Sequence, residues 1–296
     1  MNRANGQVVA AYGRRYDVEI GGDMFSCIRR GKKNDVVVGD IVEVENGVIE
    51  EIAPRASIFY RSDAYREKRI AANLTQIVIV VAGIPTYSDE LVNCCLIAAE
   101  DQGLKSLIVL NKADMTDATR QAQRRLELFE KLGYKVLPIS AKQDALPLLP
   151  YLEGETSVFV GQSGMGKSTL INSLMPDAER ETAEVSRALD SGKHTTTHAR
   201  LFHLSEKTHI VDSPGMQEFG LNHLDIDRIA QAFVEFRPYI GHCRFRNCRH
   251  LEEPGCAVLE ACESGRISQR RVESYKRLAG RVISRNSEKG RATGKG

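Results

Sequence analysis

Apolar and polar positions change rhythm twice along the 296-residue chain. From Gly6 to Ile52 the runs are short and β-rich, "GQVVAAYGRRYDVEI", "DMFSCIRR" and "DVVVGDIVEVENGVIEEI", with Gly and Asp between them and no helix-length periodicity. That spacing predicts a small barrel or sandwich of about five strands, ending near Pro54. A charged connector, "SIFYRSDAYREKRIAAN", comes next. Then near-continuous β-branched runs take over: "QIVIVVA" (76–82), "SLIVLNKAD" (106–114), "KVLPISA" (135–141), "TSVFVGQSG" (156–164) and "THIVDSPG" (208–215), with helix-like segments such as 117–132 between most of them. Buried strands crossed by helices predict a parallel α/β sheet. After residue 220 the strands stop, "DIDRIAQAFVEF" and 259–282 predict helices around a Cys/His cluster, and "NSEKGRATGKG" predicts a disordered tail. The expected divisions are a barrel over 1–57, a connector over 58–70, an α/β domain over 71–220, a helical metal-binding domain over 221–285 and a basic tail over 286–296.

Composition narrows the class. Hydrophobic residues at 42% with 27% charged residues supply a real core. No stretch of 18 apolar residues and no basic-then-apolar leader is present, so a cytoplasmic protein without a membrane span is expected. The net charge of +2 is uneven: residues 237–296 carry a surplus of 8 positive charges, residues 1–35 a surplus of 3, and the middle a deficit of 9. Basic ends fit a polyanion partner, or a merely solvated surface.

The candidate chemistry lies at the ends of the predicted strands. "GQSGMGKS", from Gly161 through Gln162, Ser163, Gly164, Met165, Gly166 and Lys167 to Ser168, follows a strand and opens a helix at Thr169. Its glycines let backbone N–H groups approach phosphates at the positive end of a helix, Lys167 adds a mobile charge, and the Ser168 hydroxyl suits Mg²⁺. "NKAD", Asn111, Lys112, Ala113 and Asp114, closes another strand. The Asp114 carboxylate accepts the adjacent N–H donors of guanine, which adenine lacks, so GTP is expected over ATP. Ser140, Ala141 and Lys142 resemble the short segment whose amide helps read the guanine oxygen in GTPases. "VDSPG" offers Asp212 as an Mg²⁺ ligand and the Gly215 amide for the γ-phosphate, and of Thr195 to Thr197, Thr196 is selected to complete the metal shell.

"CRFRNCRHLEEPGC" supplies Cys243, Cys248, His250 and Cys256 in a C-x₄-C-x-H-x₅-C spacing, which predicts one closed, structural Zn²⁺ site, with His242 as an alternative ligand. Arg244, Arg246 and Arg249 lie among those ligands, and Arg14, Arg15, Arg29, Arg30, Lys32 and Lys33 lie in the barrel with Tyr12, Tyr16 and Phe25 interleaved. Both sets are candidates for RNA phosphate and base contacts, the aromatics being equally suited to the barrel core.

The nucleotide elements run base site, base site, phosphate loop, switch, Asp-Gly, which is a GTPase order rotated by circular permutation. With "PRASIFYRSD", "IAAN", "VLNKAD", "GQSGMGKSTLIN", "GKHTTTHARL", "DSPGMQEFGL" and "CRFRNCRHLEEPGC", the chain resembles the RsgA (YjeQ) family of circularly permuted GTPases from "GQVV" to about residue 280. The resemblance implies an OB-fold barrel, a permuted GTPase core and a C-terminal zinc domain. It also implies GTP hydrolysis to GDP in late maturation of the 30S subunit, with 16S rRNA as partner, stimulation by the 30S particle, release coupled to hydrolysis, and a monomer. Met216 stands where Ras-like enzymes carry the water-orienting Gln, which predicts slow intrinsic hydrolysis. His194 matches the histidine suspected of that role in the family. An RNA-binding scaffold that only senses GTP is the second expectation, and a P-loop ATPase a distant third.

Overall fold

The computed structural model describes residues 3–31, 35–62, 67–175, 199–212 and 221–293. They form two compact units, one of residues 1–91 and 104–220, the other of 92–103 and 221–296.

The first unit opens with five strands, β1 (Ala4–Tyr12), β2 (Arg15–Ile20), β3 (Asp23–Arg29), β4 (Ile41–Glu45) and β5 (Val48–Ile52). β1 pairs with both β2 and β4, and β3 and β4 both pair with β5, so the strands close on themselves as an OB-like barrel. Alternating positions fill it: Val8, Tyr16, Val18, Cys27, Val36, Val42, Val44 and Ile49 form one buried cluster. At its rim Asp40 is fully buried but satisfied, accepting the Val37 amide at 2.8 Å and two Arg55 guanidinium nitrogens at 2.6 and 2.7 Å.

The connector is a hairpin of β6 (Ile58–Ser62) and β7 (Glu67–Ala72). Its charges hid the alternation of Ile58, Tyr60 and of Ile70, Ala72 that two short strands require.

The α/β sheet follows: β8 (Gln76–Ala82), α1 (Asp89–Gln102), β9 (Lys105–Asn111), α2 (Thr116–Lys131), β10 (Lys135–Pro138), a short turn α3 (Leu149–Leu152), β11 (Thr156–Val160), α4 (Lys167–Leu174), β12 (Arg200–Ser205) and β13 (Thr208–Asp212). The spatial order is β10-β9-β8-β11-β13-β12, parallel throughout except for the antiparallel β12, which also pairs with β1 through Ala10 and Arg200 and so continues the sheet into the barrel. All seven residues of β8 are buried, as a central parallel strand demands. β8 and β11 are neighbours although their paired residues lie 81 positions apart, as Gln76 and Ser157 do, so the order reverses there, where such sheets open a crevice at the carboxyl ends.

The second unit holds α1 from Val92 onward together with α5 (Ile226–Ala232), α6 (Ala257–Glu263) and α7 (Gln269–Thr293). The sequence pattern suggested one helix over 259–282. Two form, because the amides of Gly265 and Arg266 fold back onto the carbonyls of Cys262 and Ala261 and end α6. Val272, Tyr275, Leu278, Ala279 and Val282 line the buried stripe of α7. The helical backbone runs on through Thr293, where the sequence suggested a disordered tail. Arg271, 1% exposed, is held by both carboxylate oxygens of Glu235 and by Asn93.

Candidate nucleotide site and metal centre

Strand ends gather the first site. The phosphate-loop sequence leaves β11 at Gly161 and enters α4 at Lys167. A side chain at Gly161 would meet the Val80 carbonyl of β8 at 2.3 Å. Gly166 has φ +91° and faces the Asn111 amide, so neither position tolerates a Cβ. Asn111, 2% exposed, is the clamp of the site: its Nδ2 donates to the Met165 carbonyl at 2.9 Å and its Oδ1 accepts the Ala141 amide at 3.0 Å. One side chain thereby joins the phosphate loop, the "NKAD" strand end and the Ser140–Lys142 segment.

Asp114 is exposed at the crevice and accepts the Ser140 hydroxyl at 2.6 Å. That bond holds its pKa below the ordinary value, with Lys142 and Lys112 adding to the effect. Lys112 is left-handed, φ 62°, and its ammonium donates to the Ile84 carbonyl at 2.9 Å. Lys167 donates to the Gly161 and Gln162 carbonyls at 2.5 and 3.1 Å. Burial lowers its pKa and Asp212, at the end of β13, opposes that shift. Such a lysine is poised to exchange loop carbonyls for phosphate oxygens. Ser168 and Thr169 stand exposed on the first turn of α4. His194, Thr196, Gly215 and Met216 lie outside the described residues.

Two contacts carried no motif. Gln162 accepts the Ser88 amide at 2.7 Å, and Ser173 donates to the Ala141 carbonyl at 3.0 Å. Ser173 lies one and a half helical turns into α4, and only the fold brings it to residue 141.

In the second unit Cys243, Cys248, His250 and Cys256 converge, each offering one ligand atom within 4.8 Å of the others. The Cys243 Sγ to His250 Nδ1 separation is 3.5 Å, His250 Nδ1 to Cys256 Sγ 3.4 Å, and Cys243 Sγ to Cys256 Sγ 3.9 Å. A tetrahedron with metal–sulfur bonds of about 2.3 Å and metal–nitrogen bonds of about 2.0 Å has edges of this length. The cluster therefore can hold a metal ion, and His242 stays outside it. Local bonds build the cradle: Glu253 accepts the amides of Arg249, Leu251 and Glu252 at 2.9, 2.8 and 3.1 Å, and the Tyr275 hydroxyl donates to the Arg249 carbonyl at 2.6 Å. Although burial opposes it, this set of amides brings the Glu253 pKa down to about 2. Burial pushes the Cys248 thiol up to about 12.

The sequence profile of the RsgA GTPase family matches residues 52–222. The chain belongs to the RsgA GTPase family. As a member it is a GTPase, a hydrolase of GTP, and its fold is the family's circularly permuted core with an OB-like barrel and a C-terminal Cys₃His unit. It is similar to proteins called "Small ribosomal subunit biogenesis GTPase RsgA" from Nitrosospira multiformis, 54% identical over 92% of this chain and 89% of that one, and from Nitrosomonas europaea, 52% identical over 92% and 90%. Among solved structures, YjeQ from Thermotoga maritima superposes with a TM-score of 0.75 at 29% identity, covering 95% of this chain and 99% of that one. YloQ, described as a circularly permuted GTPase, gives 0.71 at 28% identity, covering 96% of each.

Within this family member the basic candidates divide. Arg14, Arg15 and Arg30 are exposed on the barrel, Arg15 donating to Ser26 at 2.7 Å and Arg30 lying 3.6 Å from Glu50. Arg29 turns inward, its side chain 17% exposed, and donates to the Ile49 and Glu50 carbonyls at 2.9 and 2.5 Å, so it braces β3 to β5 rather than facing a ligand. Tyr16 belongs to the barrel core, which removes it from a stacking surface, while Phe25 is half-buried against that core. Lys32 and Lys33 lie outside the described residues. Arg244, Arg246 and Arg249 are exposed around the Cys₃His cluster. No helix among the described residues is long and apolar enough to cross a membrane.

Proposed function

We propose that this GTPase acts in maturation of the small ribosomal subunit, as the names of its relatives imply for them. It works as a cytoplasmic monomer on the 30S particle, binding 16S rRNA through the barrel and the Cys₃His loop. The subunit stimulates hydrolysis, and hydrolysis drives release. The observation that carries the GTP half is the Asn111 clamp, which draws together a base-reading segment and a phosphate loop 54 residues apart and in reversed order. Guanine is read by Asp114, Asn111 and the Ala141 amide. The phosphates lie on residues 161–169, with the Gly215 amide at the γ-phosphate.

Ser168, Asp212 and Thr196 would hold Mg²⁺ with the nucleotide, and the ion would supply positive charge against that of the phosphates. Asp212, at the end of β13, acts electrostatically on Lys167 in the first turn of α4, and its carboxylate is chemically suited to the ion. One structural Zn²⁺ occupies the Cys₃His cluster, whose thiol-rich, four-ligand, closed composition favours zinc over harder ions. His194 orients the attacking water in place of Met216.

The test is GTP turnover with and without 30S subunits, alongside subunit binding with GTP, GDP and a non-hydrolysable analogue. Wild type is expected to bind with the analogue, release after hydrolysis and turn over faster on subunits. Lys167→Ala is expected to lose turnover and nucleotide-dependent binding. His194→Ala is expected to lose stimulation while keeping GTP affinity. Full stimulated activity in His194→Ala overturns that residue's role, and subunit binding indifferent to nucleotide favours a scaffold that only senses GTP.

A further inference from the structure

Phe245 sits between two metal-ligand cysteines in "CRFRNC", and all four intervening side chains are exposed. It is 42% exposed and is the only aromatic among the exposed large apolar side chains of the described residues. A lone exposed apolar side chain is ordinary. Three further facts set this one apart.

The Arg244 guanidinium lies over the Phe245 ring, 5.5 Å from its centre, so one face of the ring carries a cation. The loop is pinned at both ends: the Arg244 amide donates to the Gly255 carbonyl at 2.9 Å, the Cys248 amide donates to the Phe245 carbonyl at 3.2 Å, and Cys243 and Cys248 both belong to the cluster. The Arg244 stem is seated against Gly255, where an added Cβ would come within 3.0 Å of it. Finally, residues 242–250 contain Arg244, Arg246 and Arg249 and no acid, and no carboxylate forms an ion pair with any of the three among the described residues. On the barrel, by contrast, Arg3 and Arg30 face Glu43 and Glu50.

A rigid, exposed ring flanked by unpaired guanidinium groups fits a nucleobase face with a phosphate on either side. A-form duplex hides its base faces, so the matching RNA is single-stranded. We propose that Phe245 is the stacking anchor for an unpaired base of RNA, with Arg244 and Arg246 on the flanking phosphates. This rests on the rRNA-binding function proposed above and goes beyond it in naming the anchor and the unpaired character of the target.

The experiment uses the full chain with its metal content measured, 30S subunits, and matched single-stranded and hairpin RNAs carrying one 2-aminopurine. Wild type is expected to prefer the single strand and quench the fluorophore. Phe245→Ala is expected to weaken single-strand binding by roughly five- to a hundredfold, the range one stacked base supports, and to lose the quenching with the salt slope unchanged. Phe245→Trp is expected to keep both, and Arg246→Ala to reduce the salt slope by about one. If Phe245→Ala loses metal, Phe245→Leu, which keeps the apolar bulk without the π-face, takes its place. Unchanged affinity and quenching in that variant, equal binding of hairpin and single strand, or a loss seen only with subunit proteins overturns the anchor while wild-type subunit binding keeps the parent function. Failure of wild type to bind either RNA or subunits overturns both.

Discussion

The Ser140 hydroxyl donates to the Asp114 carboxylate at 2.6 Å, so the residue proposed to select guanine is oriented by the neighbouring strand-end segment. Asp114 is fully exposed, and this bond is the leading cause of its lowered pKa. Replacing Asp114 by Asn presents a donor where guanine also presents donors. GTP affinity is expected to fall by about a hundredfold, while xanthosine triphosphate, with a carbonyl at the amino position, gains. Ser140→Ala is expected to cost about fivefold in GTP affinity. The sign of its pH effect follows from the ionised carboxylate being the binding form. Without the hydroxyl the pKa rises toward its ordinary value, so the acid limb of GTP binding moves to higher pH. Fluorescent GTP titration from pH 3.5 to 7 measures both effects.

Asn111 spans the two halves of the site, and its substitutions separate them. Asn111→Ala removes both bonds and is expected to weaken GTP and GDP binding by tenfold or more, since two aligned bonds of about 1 kcal/mol each are lost. Asn111→Asp keeps an acceptor for the Ala141 amide but turns a carboxylate oxygen on the Met165 carbonyl, and is expected to be worse than Ala. Nucleotide titration together with a melting curve distinguishes this from misfolding, because only the nucleotide-dependent rise in Tm should vanish.

The strand-end motifs were legible from sequence because each is a contiguous word after a β-branched run, and the Cys₃His spacing was legible for the same reason. What the sequence left unread depends on register between distant strands or on burial. Arg29 looks like its neighbour Arg30, yet only the β3–β5 pairing shows that its guanidinium is spent on carbonyls. Tyr16 and Phe25 suit core and stacking surface equally in sequence, and only the closed barrel shows Tyr16 buried within it. Gln162 occupies a variable position of the phosphate loop and Ser173 lies just beyond it, and their partners come from chain segments the fold alone makes adjacent.

Glu19, His203 and His209 form such a register-dependent group. His203 Nε2 lies 2.7 Å from Glu19 of the barrel, and the two imidazole Nδ1 atoms lie 2.8 Å apart across the β12–β13 pair. With Glu19 accepting from Nε2–H, His203 Nδ1 accepts and His209 Nδ1 donates. A further proton would set two N–H groups against each other. Burial, then His203, lowers the His209 pKa, while Glu19 opposes them. The unfolded chain therefore takes up the proton first, and stability falls as pH drops below about 6.5. His209→Asn keeps a donor but does not titrate. It is expected to match wild type near pH 7.5 and to lose less stability between pH 6.5 and 5, as read from urea midpoints.

In the second unit Arg271 is almost fully buried against Glu235 and Asn93. Removing one partner of a buried ion pair strands the other charge, so Arg271→Ala is expected to destabilise that unit by about 3–5 kcal/mol. Arg271→Met, similar in length, is expected to leave the same unpaired Glu235, and only Arg271→Met with Glu235→Gln should recover part of the loss. Denaturation of the metal-loaded chain checks the double-mutant cycle.

Metal removal tests the same unit from its other end. Residues 237–256 are mostly exposed loop, held by Glu253, Tyr275 and the four converging ligands rather than by a core of their own. Chelation is therefore expected to release one equivalent of Zn²⁺ per chain and to loosen this loop, since for such segments metal affinity and folding are one free energy. Cys256→Ser is expected to reproduce the effect. Cys262→Ser, changing a thiol outside the cluster, should leave zinc content unchanged. The base and phosphate elements belong to the other compact unit, so GTP affinity measured in isolation should survive chelation while RNA binding through Arg244, Phe245 and Arg246 declines. Zinc release by a chromogenic chelator, followed on the same sample by nucleotide and RNA titrations, gives all three readouts.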